Sequence, residues 1–391
     1  MTAEKGISVL LKDRNDAAVE RGEAYMRENW NKKLKRKRMT KFQNNLNESN
    51  VIGLTDDNRE LVKKHFGTTD IVIEAVFEDL NLKKKIVADI ESMTPDHCVF
   101  ATNTSAIPIR DIAEGSKRPQ NIIGMHFFSP VPSMPLLEII PSKKTNESTK
   151  AAAFNFGTKL GKTCIVVKDV PGFYVNRCLG PFLVEVSALV RDGVSLEKLD
   201  KAVKDFGMPV GPVTLADEVG IDVTSNVAKF LSNSDLGVRM EGGDITLMEN
   251  MISKGWLGKK SGQGFYTYGK KKNEKTISPQ VTNYLKDFVV RDLNLDIEEI
   301  QNRIISRFVN EAAKCLEDEI IGNPIVGDIG LVFGTGFAPF RGGPFRYLDQ
   351  FGVAKYVDMM SAFTEKYGQQ FEPCQLLKDY ATTNKKFHSK Q

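Results

Sequence analysis

The chain has 391 residues, of which 41% are apolar and 27% charged, with a net charge of +4. That length suggests two or three domains with sizeable cores. So mild a charge excess gives no reason to expect nucleic-acid binding, which shows as a strongly basic domain or a recognisable reading motif. Five cysteines without a Cys-x-x-Cys pair argue for a reducing compartment and against a disulfide framework or a zinc site. No apolar run approaches the roughly 20 residues of a membrane span, and the first residues show neither a signal nor a transit pattern.

From residue 7 to about 169, short apolar runs alternate with charged helical stretches. ISVLLKD (7–13) reads as a strand that ends on a carboxylate, as the second strand of a dinucleotide-binding fold does. The basic run NKKLKRKRMTKF (31–42) reads as a solvated helix face, with a surface for anionic lipid or an acidic ligand as the alternative. Five more strands are predicted at TDIVIEAV (69–76), HCVFATNTSA (97–106), NIIGMHFF (121–128), PLLEII (135–140) and TCIVVKD (163–169), with a helix over 80–93 between the first two. The alternation implies βα units on a mostly parallel, doubly wound sheet.

After VPGFYVNR (170–177) helical periodicity takes over, which marks a boundary near Val170. A polar Lys-rich stretch (268–280) marks a second, so the expected segments are 1–169, 170–270 and 281–391. The two helical segments echo each other. Glu185 aligns with Glu311, Phe206-Gly207 with Phe333-Gly334, and Asp217…Gly220 with Asp349…Gly352.

Of four histidines, His65, His97 and His388 sit among charged or turn residues and are expected to be solvated. His126 stands near the end of an apolar strand in GMHFFSPVP, where it is either a core residue or a base. Glu138 lies in the apolar strand after the turn, and a buried Glu is costly unless paired. A carboxylate beside the imidazole fixes its tautomer and stabilises its protonated form, as a general base requires. ATNTSA offers Asn103 and Ser105 at a strand end, as ligand groups or as a plain turn. EAVFEDLNLKKK offers Glu78 and Lys83 at a helix start, as ligand groups or as an ordinary first-turn acid and surface lysine.

The ordered set VLLKD, EAVFEDLNLK, ATNTSAIPI, GMHFFSPVP, LLEII, PGFYVNR, FGMPVGP, GKKSGQGFY and GFAPFRGGPFRYLD resembles L-3-hydroxyacyl-CoA dehydrogenases over nearly the whole chain. It most resembles the dehydrogenase half of mitochondrial trifunctional α-subunits. The resemblance implies a Rossmann-type NAD-binding domain followed by two related helical domains. It implies that His126 takes the proton of the substrate 3-hydroxyl and that Glu138 orients it. Ser105 and Asn176 would hydrogen-bond the substrate oxygen. Asp13 would bind the adenine ribose, Val76, Phe77, Glu78 and Lys83 would line NAD, and Asn103 and Ser129 would lie near the nicotinamide. An acyl-CoA substrate, a thiolase-type β-subunit and a mitochondrial location follow from the same likeness, while the basic run 31–42 leaves a peripheral membrane contact open.

Two departures stand out. Ser129 occupies a position where many single-function relatives carry Asn. No G-x-G-x-x-G occurs in the chain, and MTAEKG resembles the tail of the helix that would follow such a loop. The expectation is therefore a nucleotide domain without its first strand and phosphate loop, in which the 7–13 strand lacks one neighbour.

Overall fold

The computed structural model describes residues 1–269 and 274–388, so part of the Lys-rich stretch lies outside the described residues. The chain divides into two compact units, Met1–Ile165 and a second from Val166 on.

The first unit alternates strands and helices. In chain order these are β1 (Val9–Lys12), α1 (Asp16–Lys35), α2 (Lys41–Ser49), β2 (Val51–Leu54), α3 (Arg59–Phe66), β3 (Ile71–Glu74), α4 (Leu80–Glu91), β4 (Val99–Thr102), α5 (Ile109–Ala113), β5 (Ile122–Phe127), β6 (Leu136–Pro141), α6 (Glu147–Lys159) and β7 (Thr163–Val166). The helices start where short polar side chains cap them: Asn15 accepts from Ala18 N–H, Thr40 forms a reciprocal capping box with Gln43, and Asp79 accepts from Leu82 N–H.

The strands form two separate sheets, β1-β2 and β3-β4-β5-β6-β7. Pairing is parallel for β1-β2, β3-β4 and β4-β5, and antiparallel for β5-β6. In the doubly wound order a central strand joins these two groups. Here β1 and β3 are both sheet edges, and Ile73 of β3 is 37% exposed while every residue of β4 is buried. The start of the chain is a single turn of 3₁₀ helix, Ala3–Lys5, closed by Gly6 at φ 71°. Glu4 of that turn accepts from Trp30 Nε1 (2.9 Å) and Lys33 Nζ (2.6 Å), which ties it to α1.

The second unit is helical: α7 (Val175–Arg191), α8 (Leu196–Phe206), α9 (Pro212–Val219), α10 (Ile221–Ser232), α11 (Thr246–Ser253), a hairpin of β8 (Tyr266–Tyr268) and β9 (Lys275–Ile277), then α12 (Pro279–Leu285), α13 (Ile297–Glu317), α14 (Pro324–Thr335), α15 (Pro344–Phe351), α16 (Val353–Tyr367) and α17 (Gln375–Thr383). The sequence echo is visible as repeated bonding. Arg177 of α7 pairs with Glu311 of α13 (3.1 Å), and Arg303 of α13 pairs with Glu185 of α7 (2.6 Å). Each arginine lies eight residues before the glutamate of its own helix, so the pairs are related by a local two-fold.

The same symmetry places Asp200 on the N–H of Val213 at the start of α9, and Asp328 on the N–H of Phe345 at the start of α15. Asp217 then accepts from Phe265 and Tyr266 N–H, as Asp349 accepts from Phe387 and His388 N–H. His388 is therefore not solvated as expected. Its side chain is 12% exposed and its Nε2 lies 2.7 Å from Asp328 Oδ2, in the place that the Tyr266 hydroxyl takes on Asp200. The echo was also out of register at one turn. The left-handed caps of α8 and α14 are Gly207 and Gly336, which makes Gly336, not Gly334, the counterpart of Gly207.

Candidate active site

β5 and β6 place His126 directly opposite Glu138 in an antiparallel register. A cross-strand pair brings side chains on one face together, and His126 Nδ1 lies 2.7 Å from Glu138 Oε2. Their side chains are 5% and 0% exposed. An ionised carboxylate only accepts, so in this contact Nδ1 is the nitrogen that donates. The Phe128 ring sits 4.4 Å from the imidazole, centre to centre, and covers it on one side. A buried imidazole facing a buried carboxylate is an arrangement that can serve as a general base with an orienting acid.

The loop after β4 is tied to this pair. Asn103 donates its N–H to Glu74 O (2.8 Å), while its side-chain oxygen accepts from Phe127 N–H (2.8 Å), one residue past His126. Ser105 is half-buried, and its N–H donates to Glu78 Oε1 at 3.0 Å. Glu78 also accepts from the Thr104 hydroxyl (2.6 Å) and Ala106 N–H (3.3 Å).

Beyond β3, Val76 and Phe77 stand 38% and 80% exposed on a turn anchored from beneath by Glu74. Lys83, by contrast, is only 1% exposed and bonds both Glu74 (2.9 Å) and Glu78 (3.3 Å). The sequence singled out Lys83 and Glu78 but missed Glu74. A carboxylate inside the apolar run TDIVIEAV was the available signal.

Asp13 is exposed just after β1, and its carboxylate accepts from Arg14 N–H at 2.7 Å. Ser129 is exposed after β5. Asn176 belongs to the second unit, half-buried in the first turn of α7. Within the first unit, Asp13 thus stands past one parallel strand, and the 75–79 turn and the 103–107 loop stand past two others. No glycine-rich turn for the pyrophosphate is present in the sequence. Among the described residues no group of His, Cys, Asp and Glu is placed to hold a metal, and no helix is long and apolar enough to cross a membrane.

Two family models match: "3-hydroxyacyl-CoA dehydrogenase, NAD binding domain" over residues 1–170, and "3-hydroxyacyl-CoA dehydrogenase, C-terminal domain" over 172–268 and 300–390. The fatty acid oxidation complex subunit alpha of Vibrio vulnificus is 43% identical over 386 residues, covering 99% of this chain and 53% of that protein. Its counterpart in Shewanella baltica is 42% identical, also with 99% and 53% covered. The chain therefore spans about half the length of the curated relatives it matches.

Among solved structures, an Escherichia coli 3-hydroxybutyryl-CoA dehydrogenase shares the fold with a TM-score of 0.84 at 23% identity, covering 98% of this chain and 94% of that one. The (S)-3-hydroxybutyryl-CoA dehydrogenase of Ralstonia eutropha is 35% identical with a TM-score of 0.63, covering 68% and 93%. The curated relatives come from Vibrio and Shewanella, bacteria without mitochondria, so the expected mitochondrial location is corrected. With both family domains matched in order across nearly its whole length, the chain belongs to the 3-hydroxyacyl-CoA dehydrogenase family.

Proposed function

We propose that this chain oxidises L-3-hydroxyacyl-CoA to 3-ketoacyl-CoA in fatty-acid β-oxidation, using NAD. The buried His126–Glu138 pair carries the reading. His126 Nε2 takes the proton of the substrate 3-hydroxyl as the C3 hydrogen departs with its electron pair, and Glu138 stabilises the imidazolium that results. Bound NAD supplies the hydride acceptor.

Ser105 and Asn176 hold the substrate oxygen. Asp13 holds the adenine ribose, Val76, Phe77, Glu78 and Lys83 shape the cofactor turn, and Asn103 and Ser129 serve the nicotinamide end. The helical segments 170–270 and 281–391 act as two related modules that enclose the acyl-CoA. The names of the bacterial relatives suggest an α-subunit of a fatty acid oxidation complex, and the resemblance of the sequence to trifunctional α-subunits points to a thiolase-type β-subunit as its partner.

The test is NADH formation from a 3-hydroxyacyl-CoA by the purified chain. His126→Ala is expected to lower kcat by on the order of 10²–10⁴-fold, the usual contribution of a positioned base. The separation of β1 from β3 favours a second reading, in which the chain binds acyl-CoA but holds NAD poorly. Tight acyl-CoA binding without NAD binding would establish that reading instead.

A further inference from the structure

We propose that Glu74 is a positioning residue for the dehydrogenase reaction, setting the cofactor turn at 75–79 directly and the Ser105 loop through Lys83 and Glu78. The inference rests on the dehydrogenase reading above.

Glu74 ends β3 with its side chain 1% exposed. Oε1 accepts from Val76 N–H at 2.6 Å and from Lys83 Nζ at 2.9 Å. Oε2 accepts from the Thr102 hydroxyl at 2.7 Å and from Lys83 Nζ at 3.1 Å. One carboxylate thus joins β3, the turn after it, α4 and the end of β4. The turn holds Phe77 out at 80% exposure, which its own packing does not enforce, so its backbone needs a buried anchor. The Val76 N–H bond supplies one.

The second arm runs through charge. Lys83 is buried between two carboxylates, 2.9 Å from Glu74 and 3.3 Å from Glu78. Glu78 in turn bonds Thr104, Ser105 and Ala106. A line of carboxylate, ammonium and carboxylate therefore reaches from the end of β3 to the backbone of the substrate-side loop. If Glu74 loses its charge, Lys83 is left with half-exposed Glu78 as its remaining ionic partner and is drawn towards it. Stability alone does not demand such a triad, because well-packed apolar side chains of similar volume commonly serve as well as a buried ion pair.

The test compares Glu74→Gln with the apolar pair Glu74→Leu/Lys83→Met in the full chain. Glu74→Gln keeps the shape and one acceptor for Val76 but loses the charge. Amide exchange at 75–79 and 104–107 is expected to rise at least about 10-fold while 122–127 and 136–141 keep their protection. KM for NAD is expected to rise with kcat nearly preserved. The apolar pair is expected to recover the melting temperature but neither the exchange protection nor KM.

Uniformly faster exchange in Glu74→Gln, unchanged exchange, or recovery of all three properties by the apolar pair would overturn the proposal in favour of a purely structural role. Absence of NAD reduction by the unmodified chain would sink the dehydrogenase reading alone, since the exchange measurement still decides the positioning role.

Discussion

Glu138 is wholly buried, and a carboxylate there is costly unless paired, as it is with His126 Nδ1 at 2.7 Å. Glu138→Gln keeps an acceptor for Nδ1–H but cannot balance an imidazolium. We expect kcat to fall with KM for NAD unchanged; an unchanged kcat would remove Glu138 from the reaction. Asp328 offers a different titration. Burial pushes its carboxyl up to about 6, against the bonds from Phe345 N–H and His388 that favour its charge. With the folded value above the unfolded one, the native state holds a proton between about pH 4 and 6 that the unfolded chain has released. Stability from this group is full below that window and falls by up to about 1.4 kcal/mol per pH unit across it. Asp328→Asn is expected to flatten this slope in urea titrations, and an unaltered slope would refute the assignment. His126 and Glu138 were legible because a titratable group inside an apolar strand is conspicuous. His388 was not, because its neighbours in the sequence are lysines and its partner lies 60 residues away.

Strands were legible wherever apolar residues ran together, and β4 to β6 read that way because they are buried almost throughout. β2 was missed: VIGL is four residues long, has a glycine inside it, and packs against α1 through Gly53. Among the described residues no strand joins β1 to β3, and this was legible, since no glycine-rich fingerprint stands beside the 7–13 strand. Its consequence belongs to the strands themselves. Central strands of a parallel sheet are bonded on both sides, whereas all four residues of β1 are only half-buried and Ile73 of β3 is exposed. Amides of β1 and β3 are expected to exchange on the order of 100-fold faster than those of β4, which lies between β3 and β5. Equal protection in β1, β3 and β4 would show that those two edges are covered.

At the scale of the whole molecule, the second unit is organised by charge as much as by apolar packing. Glu185 and Glu311 are 0% and 1% exposed, each beside two arginines: Arg303 and Arg307 on one, Arg177 and Arg239 on the other. Only the alignment of the two glutamates was visible in the sequence, because which arginines meet them is decided by the antiparallel approach of α7 and α13. If the two clusters are equivalent under the local two-fold, removing either glutamate takes a carboxylate from two arginines, one of which keeps a second acid (Asp192 for Arg303, Asp235 for Arg177), and costs about the same. Glu185→Ala and Glu311→Ala are each expected to lose about 3–5 kcal/mol, the usual effect of breaking a buried pair from one side. The chain has two tryptophans, Trp30 in the first unit and Trp256 in the second. A Trp30→Phe background therefore reports unfolding of the helical unit through Trp256 alone. Closely matched urea midpoints for the two substitutions, both well below that of the background, would support the equivalence. A large loss for one and little for the other would show that the duplication has been kept in sequence but divided in its energetic role.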